Sequence, residues 1–207
     1  MADRLRPLWD FDDLDSTERR LSDLVAAEQS DAGRAEVLTQ LARVEGLRED
    51  FDASERLLQQ AEALAGTSEV AKVRIDLERG RKLRSSGDPA AALELFEAAF
   101  VRASDDGQDF LAGDALHMCA ISVDNLDAAE QWTERGLEFG ERRPAAAYWA
   151  GPLLNNLGWA YYDAGDHRRA LELFGQALEV RLRDPANETA IAFAQEAVET
   201  ARQALAY

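Results

Sequence analysis

Residues 153–183, LLNNLGWAYYDAGDHRRALELFGQALEVRLR, decide the fold of this chain. Apolar and small residues recur every three or four positions on both sides of Gly165-Asp166: Leu157, Gly158 and Tyr161 before it, then Ala170, Phe174, Ala177 and Leu178. That period marks amphipathic helices, and a Gly-Asp turn between two of them makes a helical hairpin. Where the two axes cross, a side chain larger than a methyl would hold them apart, which accounts for the small residues at Gly158, Ala170 and Ala177.

Weaker copies of this stretch extend upstream. Aligned on the first small residue of the second helix, Ala170 corresponds to Ala129, Ala92 and Ser54; Phe174 to Thr133, Phe96 and Leu58; and Ala177 to Gly136, Ala99 and Ala61. Turn residues precede each: Glu49-Asp50, Gly87-Asp88, Asp124-Asn125 and Gly165-Asp166. The anchors are 38, 37 and 41 residues apart. Ala42, Gly80, His117 and Gly158 stand opposite them on the first helices. His117 is the departure, and implies either a wider crossing or a ring turned outward. The expected pairs span about 35–68, 73–106, 110–143 and 151–184, as one continuous domain.

Residues 1–34 read as a lead-in and a helix. Trp9 and Phe11 lie among acids without a period and are expected to dock on the first helices. Asp15 or Ser16 is expected to cap a helix carrying Leu21, Leu24 and Val25, with Asp31-Ala32-Gly33 breaking it. Asp88-Pro89 opens a helix in the usual manner. Gly151-Pro152, inside AAAYWAGPLLNNLGWAYYDAG, predicts either a kinked continuous helix, the preferred reading, or a separate turn over Ala145 to Trp149. Past Asp184-Pro185, residues 185–207 read as a capping helix with Ile191, Ala194, Val198, Ala201 and Leu205 on one face, covering the end of the array.

Composition excludes several classes. No run of about 18 apolar residues is present, so a membrane span is not expected. The N-terminus lacks the apolar core of a signal peptide, which points to the cytoplasm. One cysteine, Cys119, rules out an internal disulfide framework. A net charge of −17 disfavours nucleic acid, whose phosphates would be repelled. Arginine far outnumbers lysine, in keeping with a GC-rich bacterial genome. His117 and His167 lie more than a repeat apart, and Cys119 diverges from His117 on a helix by roughly 200 degrees, so no nucleophile–base pair forms. No metal-ligand cluster or phosphate loop is apparent, and no cofactor is expected.

Over residues 35 to 184 the chain resembles the tetratricopeptide-repeat proteins, nearest the bacterial forms with four repeats and flanking helices. The resemblance implies an all-α, right-handed α-solenoid of antiparallel helix pairs, about ten helices in all. It also implies a non-catalytic scaffold that binds a peptide or partner protein in a concave groove lined by the first helix of each pair. The anchor spacing is somewhat longer than the ~34 residues of that family. Transferred onto this sequence, the groove positions give Arg43, Arg74, Arg81 and Arg84 as a positive patch. Met118, Ile121, Trp159 and Tyr162 form an apolar floor, and Asn155 and Asn156 are amides for a peptide backbone. Arginine forks suit a carboxylate, and Trp and Tyr bury area while keeping a polar handle. The expected partner is thus a protein or peptide with an acidic segment. Two further outcomes stay open for these residues: the arginines pair internally with Asp76, Glu78 or Asp114, and the aromatics pack between repeats. The lack of a basic partner in the fourth pair argues against a clamp for a terminal carboxylate. Alternative roles are a homodimer or larger homo-oligomer, with Trp9 and Phe11 in a neighbour's groove or solenoid ends stacked, and a small-ligand sensor.

Overall fold

The computed structural model describes residues 3–184 and 187–206. The first two residues of the lead-in, Pro185 as the expected break, and Tyr207 at the end of the capping helix lie outside them. Among the described residues there are ten α-helices and no strand: α1 (Leu14–Ala27), α2 (Asp31–Leu47), α3 (Phe51–Ala65), α4 (Glu69–Ser85), α5 (Pro89–Asp105), α6 (Asp109–Ala120), α7 (Leu126–Arg142), α8 (Ala150–Asp163), α9 (His167–Arg181) and α10 (Glu188–Leu205). The fold is all-α, and consecutive helices pack in pairs, α2 on α3, α4 on α5 and α8 on α9, as in a solenoid.

Local chemistry sets these boundaries. At α3, α5, α7 and α9, Asp50, Asp88, Asn125 and Asp166 are the N-caps, each side chain accepting from an amide three residues on. Before three of these caps the chain turns through a left-handed residue, Glu49 at φ 63°, Gly87 at 96° and Gly165 at 86°. Removing the cap in Asp166→Ala is expected to cost about 1 kcal/mol, read as a lower urea midpoint with an unchanged slope.

The aligned anchors are all buried: Ser54, Ala92, Ala129 and Ala170; Leu58, Phe96, Thr133 and Phe174; Ala61, Ala99, Gly136 and Ala177. Two of the facing glycines are required sterically. A Cβ on Gly80 would stand 2.4 Å from Phe96 Cε1, and one on Gly158 would stand 2.5 Å from Phe174 Cε1. The same ring thus fills the same notch in both pairs.

Three local expectations are corrected. The first helix is capped by Asp13, which accepts from the Ser16 amide, two to three residues earlier than Asp15 or Ser16. Asp31-Ala32-Gly33 is no break: Ser30 accepts from Gly33 N, so these residues form the first turn of α2, and the interruption falls just before them. At Gly151-Pro152 there is no kinked continuous helix. Ala147–Trp149 forms a 3-10 turn and α8 starts at Ala150, which puts Pro152 in the first turn, where its missing amide leaves no bond unmade.

The chain divides into two compact units, Met1–Ala115 and Leu116–Tyr207. In the first, Leu5, Leu21, Val37 and Val44 form one core, so the lead-in is anchored by a fully buried leucine; Ala35, Leu38, Ala61, Ala65, Ala71 and Ile75 form another. In the second, Leu154, Leu157, Leu173 and Ala177 pack together, and Ala170 and Phe174 meet α10 through Ala197, Val198 and Ala201. The cap rests on small residues, which allow close approach. Leu205, expected on its buried face, is 46% exposed.

Candidate partner-binding site

The expected groove residues fall into two sets, one in each unit. In the first unit the arginines are engaged with the chain's own carboxylates. Arg81, in the last turns of α4, reaches Glu78 Oε1 at 2.5 Å and both oxygens of Asp114 at 2.6 Å. Glu78 and Asp114 are buried, 4% and 5% exposed. Burial depresses the pKa of Arg81, but attraction to Asp114 and Glu78 outweighs it and raises the value. Burial pushes the Glu78 carboxyl upward, against the pull of Arg81 and Arg43. Arg43 lies 4.0 Å from Glu78, and burial, then the neighbouring Arg81, lower its pKa. Arg74 is buried and ion-paired to Asp3, with Glu36 3.5 Å from its Nε. Arg84, further along α4, is exposed.

Of the three acids expected as internal partners, Glu78 and Asp114 hold Arg81, while Asp76 is turned to Arg102 at 3.4 Å. Asp3 was not anticipated as the partner of Arg74. They are 71 residues apart, and an acid in an aperiodic lead-in gives no phase from which to read a contact. The expected docking of the lead-in aromatics does occur: Trp9 and Phe11 stack with ring centroids 4.9 Å apart, and the Arg43 guanidinium sits 5.3 Å and 5.5 Å from the two rings.

In the second unit, Ile121, Asn156 and Trp159 come together around a recess of about 280 Å³, whose wall continues through Thr133, Leu157 and Asp163. Helices α7 and α8 contribute most of the lining. Asn156 is aimed by a hydrogen bond, its Nδ2 donating to His117 Nε2 at 2.8 Å. The His117 ring in turn stacks on Trp149 at 5.1 Å, so the imidazole is directed toward α8 and the segment before it. This contact answers the question raised by a large residue at a small-residue position. Trp159 has two roles: it packs on Phe174 with centroids 5.0 Å apart and also lines the recess. Tyr162 packs edge-on against Trp159 at 5.4 Å and lies 4.7 Å from His167. Met118 is buried and Asn155 half-buried. Neither lines the recess.

Against family models, residues 153–183 match the tetratricopeptide repeat. These residues form a tetratricopeptide repeat. The matched unit is the α8–α9 pair, which holds the Gly158–Phe174 notch and five of the residues that line the recess, Asn156, Leu157, Trp159, Ala160 and Asp163. No curated protein matches the chain. Tetratricopeptide repeats are protein-interaction modules, stacked so that neighbouring helix pairs present a continuous surface. Among the described residues of this repeat protein, no helix is long and apolar enough to cross a membrane, and no group of three or more His, Cys, Asp or Glu is arranged to hold a metal ion.

Proposed function

We propose that this protein is a non-catalytic scaffold that holds a partner polypeptide in the recess beside Trp159. The observation that carries the reading is the convergence of Ile121, Asn156 and Trp159 on one recess. An indole wall offers area for an apolar side chain, and an oriented amide offers both donor and acceptor to a peptide backbone. A recess of about 280 Å³ is sized for one large side chain rather than for an extended ligand. The rest of the partner lies along the helix surface, where Asn155 and Tyr162 are half-exposed. The strong negative charge of the chain favours a protein partner over nucleic acid, and the protein is read as cytoplasmic and bacterial.

The test is partner capture from the native cell by wild type and by Trp159→Ala and Asn156→Ala. Both variants are expected to keep the helical circular-dichroism signal and to lose at least ten-fold in captured partner. Unchanged capture by both would sink the reading. Self-association is a second reading, favoured by Phe193, which is 64% exposed on α10. Light scattering at high concentration decides it, since a monomer excludes a homodimer built on that face.

A further inference from the structure

Asn156, Trp159 and Asp163 all line the recess, and their spacing of three and then four residues sets them on one face of α8. The chemistry changes along that row. Asn156 spends one N–H on His117 Nε2, at 2.8 Å, and keeps its carbonyl oxygen as an acceptor. Trp159, held against Phe174, contributes an indole. Asp163 is exposed, ends α8, and pairs with no cation among the described residues. Its charge adds to the negative end of the helix dipole. The remaining walls are apolar or neutral, with Ile121 and Leu157 on them and one hydroxyl from the buried Thr133. Among the described residues, no lysine or arginine lines this recess.

We infer that the side chain seated in the Trp159 recess is cationic, and that the partner segment carrying it is basic rather than acidic. This rests on the reading of the recess as the partner site and names the charge that the site selects. Two observations carry it. Three of the four arginines that would draw an acidic segment are engaged within the chain: Arg81 with Glu78 and Asp114, Arg74 with Asp3 and Glu36, and Arg43 with Glu78 and the lead-in rings. The carboxylate at the recess is not engaged, and the chain carries a net charge of −17, so an acidic segment is repelled on approach and a basic one is drawn in. The form of the recess agrees with that sign. Its space of about 280 Å³, with apolar walls and one carboxylate, suits an aliphatic stem that ends in a charged donor. A guanidinium can lie on an indole while its fork donates to a carboxylate, and an ammonium meets the same two groups as a point charge. A neutral or acidic side chain of equal length leaves Asp163 unmatched.

The probes are n-butylguanidinium, its neutral isostere n-butylurea, and hexanoate, each titrated into the isotope-labelled full chain while the side-chain N–H signals of Trp159 and Asn156 are followed by NMR. The guanidinium is expected to saturate both signals and to bind about five-fold more tightly than the urea, the size of an exposed ion pair reinforced by a ring contact, with hexanoate weakest. Asp163→Asn is expected to bring guanidinium and urea within about two-fold of each other, the ring contact alone remaining. Glu179→Gln removes the same charge from an exposed position of α9 that does not line the recess, and is expected to leave the preference intact. Equal binding of guanidinium and urea, or tighter binding of hexanoate, overturns the inference while leaving the recess a partner site of another charge. Equal losses in Asp163→Asn and Glu179→Gln show a general attraction to an acidic surface, and overturn it as well. If no probe moves Trp159 or Asn156 the inference falls, and the recess reading is decided by its own capture experiment.

Discussion

Replacing Arg81 by methionine is expected to destabilise the protein by about 3–5 kcal/mol, the usual cost of removing one member of a buried ion pair. Arg81 is the cation shared by Glu78 and Asp114, both buried: its Nη1 donates to Glu78 and its Nη2 to both oxygens of Asp114 at 2.6 Å. Methionine keeps the volume of the stem but leaves two carboxylates facing each other's charge, with Arg43, 4.0 Å from Glu78, and Arg74 as cations still nearby. The loss corresponds to a melting temperature lower by about 10 °C for a chain of this size.

The effect depends on pH in a definite direction. Burial raises the folded-state pKa of Glu78 above its ordinary value. A carboxyl raised in this way favours the folded state fully below the unfolded pKa, and that contribution is lost as pH rises through the folded pKa. Without Arg81 the raised value climbs further. The penalty of Arg81→Met is therefore largest at neutral pH and shrinks as pH falls toward the acid range. Adding Glu78→Gln to Arg81→Met removes one buried charge and is expected to restore part of the loss at pH 7. Urea titrations at pH 7 and pH 5 measure both effects, and a penalty independent of pH would show that the carboxylates are not its source.

The second large effect is at the notch of the best-formed repeat. Phe174→Ala is expected to cost about 3–5 kcal/mol, since the ring is fully buried and its removal leaves a cavity. The ring touches Gly158 on one side and Trp159 on the other, and it belongs to the cluster that seats α10 through Ala197, Val198 and Ala201. Gly158→Ala in the wild type is expected to cost about 1–3 kcal/mol, because the added methyl would meet the ring at 2.5 Å. In the Phe174→Ala background the same methyl enters empty space and should cost nothing. The double-mutant cycle therefore yields a coupling of about 1–3 kcal/mol, and additivity within ~0.5 kcal/mol would refute the notch. The same fact explains the spacing of the sequence: glycine and phenylalanine are paired at Gly80 and Phe96 as they are at Gly158 and Phe174.

What could be read along the chain and what could not divide by range. The period of apolar residues, the turns at Asp50, Asp88, Asn125 and Asp166, and the small anchors from Ser54 to Ala177 were legible because each is set by neighbours within a few turns of helix. So were the helical class and the repeat at residues 153–183. The start of α2 at Asp31 and the 3-10 turn before α8 were misread, since a Gly or Pro fits equally well as a break or as a first turn and the deciding bond comes from Ser30 or from the turn itself.

The fate of the candidate side chains was another matter. The positions of Arg74, Arg81 and Arg84 on one helical face followed from 3.6-residue geometry, and Glu78 and Asp114 stood among the acids expected to meet the arginines, but the choice among those acids and the pairing of Arg74 with Asp3 did not follow, because charge attracts without any period. Asp3 and Asp114 reach these helices from segments 71 and 33 residues away. Likewise the pairing of His117 with Asn156 spans 39 residues and turns an outsized ring into the support of a recess. The sequence by itself determined the helices, their pairing and the stripe that each turns inward. Only the tertiary structure decided which polar groups on those helices are already engaged and which face a recess, because that depends on the meeting of segments remote in the chain.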